Sequence, residues 1–208
     1  MMDATPIKPR ITDQDYADTA ADLGCKVAAI KAVACIESSG SGFLPTGELV
    51  ILFEPHIFWR QLVRQRVDPK TVLSNNPDMH DILYEVFRGH DGEHPSQQWD
   101  RLRRAAQVNM NAAYNSASFG KFQIMGFNSQ GAGYKNIFEF VHYLDLGEKY
   151  HLLAFAKLIK SFGLAKCLCV GNWAAFAKEY NGPAYKGNPD TILDDYDYKL
   201  SQAFKKFS

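Results

Sequence analysis

The chain has 208 residues, enough for one domain with a substantial core. Hydrophobic residues at 46% and charged residues at 22% are ordinary for a globular protein, and no run approaches the ~20 apolar residues of a membrane span. Lys plus Arg equals Asp plus Glu, 23 each, so formal net charge is zero, which excludes affinity resting on bulk charge and argues against nucleic acid as a partner.

Residues 1–10 carry Pro6 and Pro9 and read as an extended arm ahead of a single domain over 11–208. The N-terminus has no apolar core of a secretory signal, so the expected site of synthesis and folding is the cytoplasm. Thr12, with Asp15 three residues on, predicts the N-cap of a first helix running to about Leu23. A second helix follows and ends near Glu37. The segment 48–53 lies between Pro45-Thr46-Gly47 and Pro55 and is the one convincing strand, with a short hairpin expected there. Helices are predicted beyond it over 56–66, 78–87, 95–114, 119–125, 137–144, 148–162, 164–170, 173–180 and 189–207. No repeat, low-complexity stretch or long linker interrupts the pattern. The expected fold class is mainly α, a helical domain with one small β-hairpin lobe beside Glu37.

The cysteines point away from metal chemistry. Cys25 and Cys35 share a helical segment, and Cys167 and Cys169 are too close for an ordinary disulfide. No second Cys/His cluster stands at zinc spacing, and the six histidines include no HExxH, so the thiols read as small buried side chains and no metal is expected. Trp59 and Trp173 fall on apolar helix faces. Trp99 lies among charges, and packing is favoured for it over contact with a polymer. Arg101, Arg103 and Arg104, like Lys205 and Lys206, read as solvated helix faces; contact with anionic wall or lipid groups is the weaker alternative.

Glu37 is the most informative residue. Ile30, Val33 and Ala34 form one helical face, and Glu37 continues it, although Lys26 one turn earlier breaks the stripe. A carboxyl pointed toward the packed side is pushed toward its neutral form by burial. An acid still protonated near neutral pH can donate a proton to a leaving group. Ser38, Ser39 and Gly40 then end the helix and leave space beside the carboxyl. The plain alternative is a helix-end carboxylate that reaches out to water.

Other segments carry polar groups in a pattern. They are Glu48, Glu54 and His56 in GELVILFEPHIFW, residues 116–128 in SASFGKFQIMGFN, and residues 178–185 in KEYNGPAY. With Glu37-Ser38-Ser39-Gly40, the run Gly120-Lys121-Phe122-Gln123-Ile124 and the turn Tyr180-Asn181-Gly182, the chain resembles the lysozyme superfamily. LFEPHIFW (52–59), SASFGKFQIMGFN and NWAAFAKEYNGPAY (172–185) make the likeness closest to the N-acetylmuramidase family of bacteriophage endolysins and prophage proteins. The motifs run in order from about Ile11 to the C-terminus.

That resemblance implies an α+β lysozyme-like fold and cleavage of the β-1,4 bond between N-acetylmuramic acid and N-acetylglucosamine in peptidoglycan. Glu37 takes the position of the catalytic acid. Members often carry a separate wall-binding module, and none is expected in this chain. No cofactor is implied, since acetal cleavage runs on carboxyls and water. The implied biology is accumulation in the host cytoplasm, release by a holin without a stable complex, and action on the wall; the sequence signals no oligomeric state, and a monomer is the default expectation.

Glycoside hydrolysis usually takes two carboxyls. Glu54, at the strand end, is the first candidate for the second catalytic role; its structural alternative is pairing with His56 or Arg60, or capping the next helix. Glu48, at a turn, reads as solvated and otherwise as a substrate contact. Gln123 and Asn181 offer amides suited to sugar acetamido and hydroxyl groups, against a loop-holding and a turn-forming role. Tyr180 can stack on a sugar or bond near Glu37, or serve the core. Ser38 and Ser118 rank below these as substrate contacts. Three rivals stand beside hydrolysis: a lytic transglycosylase on the same bond, a chitinase-like enzyme, and a non-catalytic wall-binding protein of the same fold.

Overall fold

A computed structural model describes residues 8–37, 40–89, 95–181, 186 and 195–208. Helix α1 (Asp13–Leu23) starts at a reciprocal cap: the Thr12 side chain accepts from the Asp15 N–H, and the Asp15 carboxylate accepts from the Thr12 N–H. Gly24 ends it at φ 70°, a left-handed conformation that glycine adopts without a Cβ penalty. Helix α2 (Val27–Glu37) follows, with Ala28, Ala29, Ile30, Ala32, Val33 and Ala34 all buried. So small a set of side chains lets other helices approach closely, and α1 and α10 (Tyr196–Phe207) both pack on α2. The α2–α10 contact is the most extensive between any two elements. Its inner stripe on α10 is Tyr196, Leu200 and Ala203, spaced four and three residues apart.

The sheet is small and antiparallel. Strand β1 (Ile51–Phe53) pairs with β2 (Ala117–Phe119), with Ile51 opposite Phe119 and Phe53 opposite Ala117. Strand β3 (Ile124–Met125) completes it by folding back on β2. The short hairpin expected around 48–53 is limited to the stretch ahead of β1, where Phe43 bridges Leu49 and the Leu44 and Val50 N–H groups donate to the Glu48 and Gly42 carbonyls. The partner of β1 itself comes from more than sixty residues later.

The helix expected over 119–125 is corrected too. Gly120 sits at φ 71° and Gln123 at φ 46°, and two left-handed residues turn the backbone into a hairpin. The apolar spacing of Phe119, Phe122 and Ile124 is real, since all three are buried, but it is produced by a strand, a turn and a strand.

Between the strands run α3 (Pro55–Arg64), α4 (Pro69–Asn75) and α5 (Pro95–Asn115). Helix α4 was not expected; Asp68 caps it by accepting from the N–H groups of Lys70 and Thr71. Residues 78–87 form no α-helix, only a 3₁₀ turn at Pro77–Met79 and bends. Helix α5 is interrupted at Asn109 (φ −157°, ψ 103°), whose side chain accepts from the Ala112 N–H and restarts the helix as an internal cap. Helices α6 (Ile137–Asp145), α7 (Glu148–Ser161), α8 (Ala165–Val170) and α9 (Trp173–Asn181) agree closely with the sequence reading. Helix α10 begins at Tyr196; residues 189–194 of the expected 189–207 helix lie outside the described residues.

One apolar core joins these pieces, with Phe53, Phe58, Phe119, Phe140, Phe155 and Phe176 fully enclosed. Trp59, Trp99 and Trp173 pack at its edge, and the Trp99 N–H donates to the Leu49 carbonyl, which confirms packing for Trp99. The cysteines are free thiols; Cys35 is exposed and the other three are half-buried, so the expectation of burial fails for Cys35. The arginine faces are solvated as expected, and each has a local partner: Arg103 meets Glu48, Arg104 meets Asp81, and Arg101 donates to the Asp81 carbonyl.

Candidate active site

Glu37 is the last residue of α2 and is half-buried. Desolvation by its surroundings pushes its carboxyl above the ordinary carboxylate value, and a hydrogen bond from Tyr196 pulls in the opposite direction. Burial wins. The position at a helix C-terminus acts in the same direction, because the partial negative charge there disfavours a second anion.

The Tyr196 hydroxyl donates to Glu37 Oε1. Tyr196 begins α10, and the packing of α10 along α2 is what carries it there. Its own phenol is held far above the ordinary tyrosine range by burial and by the nearby Glu37 charge, so it remains a donor. Tyr180, on α9, stands on another side. Its ring stacks on Phe176 (5.4 Å, 17° between planes) and meets Phe155 edge-on (5.9 Å, 77°). Burial, and then the Glu37 charge, raise the Tyr180 phenol as well. The carboxyl is therefore bonded by one neutral phenol and lies within electrostatic reach of a second, and it is desolvation that shifts it toward its protonated form.

Tyr196 was absent from the sequence-derived candidates. Its only local signal is that it opens the apolar stripe of α10, and a stripe does not say which helix it will meet.

The second carboxyl candidates have other partners. Glu54 stands at the N-cap position of α3 with its Oε2 3.4 Å from His56 Nδ1, and each side chain is only 15% exposed. Its backbone ties β1 to the end of α5, the N–H donating to the Ser116 carbonyl. Glu48 is 42% exposed and accepts from Arg103 at 2.6 Å and from Thr46 at 3.2 Å, as a solvated turn residue would.

Gln123 and Ser118 come together, but on each other. The Ser118 hydroxyl donates to Gln123 Oε1 at 2.7 Å. Gln123 Nε2 donates to the Gly120 carbonyl at 2.7 Å and reaches the Val50 carbonyl at 3.5 Å. This amide stitches the β2–β3 turn closed, the loop-holding role weighed for it from sequence. Asn181 ends α9, and its side chain lies outside the described residues, as does all of Ser38.

Among the described residues, no three His, Cys, Asp or Glu side chains are grouped to hold a metal ion. No described helix is long and apolar enough to cross a membrane.

A mostly helical body with a small antiparallel sheet and a buried acid at a helix end is a lysozyme-like α+β architecture. The sequence matches the N-acetylmuramidase family over residues 26–208, nearly its whole length, and the chain belongs to that family. It is therefore a lysozyme-like glycoside hydrolase of peptidoglycan. Its fold is similar to the crystal structure of Burkholderia AP3 phage endolysin, with TM-score 0.83 and 32% identity over 99% of this chain and 74% of that one. No curated protein matches the sequence.

Proposed function

We propose that this protein is an endolysin that cleaves the β-1,4 bond between N-acetylmuramic acid and N-acetylglucosamine, with Glu37 as the general acid, and so lyses bacterial cells. The observation that carries the reading is the Glu37 carboxyl itself, desolvated at the end of α2 and bonded by the Tyr196 phenol. A protonated Glu37 delivers its proton to the glycosidic oxygen as the C–O bond breaks. Tyr196 engages Oε1, which leaves Oε2 to carry that proton. Once the proton has left, the Tyr196 O–H stabilises the carboxylate that remains. Glu54 is the candidate for the second carboxyl, to activate water or steady the oxocarbenium ion. Tyr180, Asn181, Gln123, Ser38, Ser118 and Glu48 are candidate substrate contacts, and holin-dependent release of a monomeric enzyme from the cytoplasm completes the reading. The likeness to a phage endolysin supports it.

A second reading has its own observation. Glu48 is engaged by Arg103 and Glu54 lies beside His56, whereas among the described residues Glu37 is engaged by a phenol. A single acid suits a lytic transglycosylase, where the muramic 6-hydroxyl replaces water. The deciding experiment digests purified peptidoglycan with wild type and Glu37→Gln, then reduces and weighs the products. Reducible muramic ends from wild type alone establish the muramidase. Ends lighter by one water establish the transglycosylase. Equal digestion by both proteins removes Glu37 from the chemistry.

A further inference from the structure

A second group of buried polar side chains lies between α7, the β2–β3 turn and the segment that follows Glu37. Glu148 and His151 stand three residues apart on one face of α7, and both are buried. Glu148 Oε1 accepts from the Gly42 N–H at 2.7 Å. His151 Nδ1 accepts from the Lys121 N–H at 2.9 Å while its Nε2 faces the Leu144 carbonyl at 2.8 Å. That pairing requires the neutral Nε2–H tautomer, and desolvation pushes this imidazole down to about 4.

The ring is wedged between two glycines. A Cβ at Gly42 would lie 2.5 Å from it, and one at Gly120 would lie 2.6 Å from it. The turn and the segment after α2 are thus pressed onto the same imidazole.

Lys121 joins the two. Its ammonium donates to the Gly40 carbonyl at 2.6 Å and lies 3.9 Å from Glu148 Oε2, with its side chain only 12% exposed. Gly40 is three residues beyond Glu37. The lysine therefore holds the backbone at Gly40, and Glu148 both balances its charge and holds Gly42 two residues further on. A largely enclosed ammonium with one carbonyl and one carboxylate is a directional tether, since loss of the carboxylate leaves its charge without compensation and loss of the carbonyl leaves a donor unmet.

We propose that Lys121 is a positioning residue for Glu37: anchored by Glu148, it holds the backbone at Gly40, three residues beyond Glu37, and so restrains the aim of the Glu37 carboxyl. The inference rests on the reading of Glu37 as the acid. A misaimed acid lowers turnover without weakening substrate binding, because displacements near 1 Å at a reacting group cost roughly 100-fold.

The test measures kcat, KM and melting temperature on soluble peptidoglycan fragments for wild type, Lys121→Met, Lys121→Arg and Glu37→Gln, with Lys160→Met, which breaks an exposed pair with Asp22, as a surface control. Lys121→Met should lose about tenfold or more in kcat with KM within about twofold, while staying folded at the assay temperature. Lys121→Arg keeps the charge and the donors and should recover most of that loss. Combining Lys121→Met with Glu37→Gln should add nothing to the loss from Glu37→Gln alone. Wild-type kcat in Lys121→Met overturns the proposal, as does a loss additive with that of Glu37→Gln. If Lys121→Met unfolds, Glu148→Gln, which removes the charge anchor of Lys121, carries the test: a lowered kcat with KM within about twofold is expected, and wild-type kcat overturns the proposal. Equal activity of wild type and Glu37→Gln would instead sink the acid assignment, a distinct outcome.

Discussion

The Tyr196 hydroxyl donates to Oε1 of Glu37 across 159 residues of sequence. The bond links the first residue of α10 to the last residue of α2, so the setting of this carboxyl is built by the packing of two helices from opposite ends of the chain. In the folded enzyme it opposes desolvation, which has the larger effect on Glu37.

Tyr196→Phe removes the donor and keeps the ring. The hydrogen bond favours the charged carboxylate, so its loss raises the Glu37 pKa further. The alkaline limb of the kcat/KM profile should move to higher pH, because the acid form persists longer. Turnover at the optimum should fall about tenfold as the carboxyl loses its orientation. A pH–rate profile of the variant on peptidoglycan fragments checks both; an acid-ward shift of that limb would refute the assigned direction.

Glu37→Gln should abolish most activity, a loss of about 100-fold or more for a general acid. Stability should respond in the opposite sense. Glu37 has a folded pKa above its ordinary value of 4.5, so the native state binds more protons than the unfolded chain in the window just above 4.5. Its contribution to stability is fully present below that value and is lost as pH rises through the folded pKa. Gln carries no such penalty. Denaturant melts at pH 4 and pH 8 should show the variant gaining relative to wild type at the higher pH.

Glu54→Gln and Glu48→Gln separate the second carboxyl from a surface pair. Glu48 meets Arg103 at an exposed position, worth about 0.2–1 kcal/mol at most, and its variant should keep turnover within about twofold. Glu54→Gln should lower kcat at least tenfold if Glu54 serves the chemistry, by the usual scale of acid–base catalysis (~100-fold or more). Wild-type turnover in both variants would leave Glu37 as the single working carboxyl.

Gly24→Ala and Gly120→Ala share a backbone strain but differ in space. Both glycines lie near φ 70°, so each alanine incurs roughly 1–2 kcal/mol of left-handed strain. A Cβ at Gly24 meets nothing within 4 Å, whereas one at Gly120 meets the His151 ring at 2.6 Å. Gly120→Ala should cost about 1–3 kcal/mol more than Gly24→Ala in urea melts, the scale of overpacking. Equal costs would mean that the imidazole moves aside freely.

Much of the helical architecture was legible residue by residue. The Thr12–Asp15 cap, the Ile30–Val33–Ala34 face and the stripes of α6, α7 and α9 are local patterns, and local patterns survive folding. Residues 119–125 were not legible in this way. Their apolar spacing fits a helix or a turn between strands, and the choice fell to β1, which supplies the pairing edge for β2. Asn109 shows the same ambiguity inside α5, where a helix-compatible stretch is broken by its own side chain bonding the backbone.

The sequence by itself determined the identity of the acid candidate and the family, because a carboxyl on an apolar helix face and ordered motifs are properties of neighbouring residues. It also determined that Glu37 would end a helix. Only the tertiary structure decided what surrounds it: Tyr196 arrives through α10 to bond it and Tyr180 through α9 comes within reach of its charge, while Gln123 and Ser118 turn to each other. Glu148 and His151 share one face of α7, but their meeting with Lys121 of the β2–β3 turn and with Gly40 and Gly42 has no pattern in the chain, since three separate segments supply them. Periodicity encodes which face of an element is buried; the partner across that face is set by which elements pack most closely, and α2, lined with alanines, admits α10.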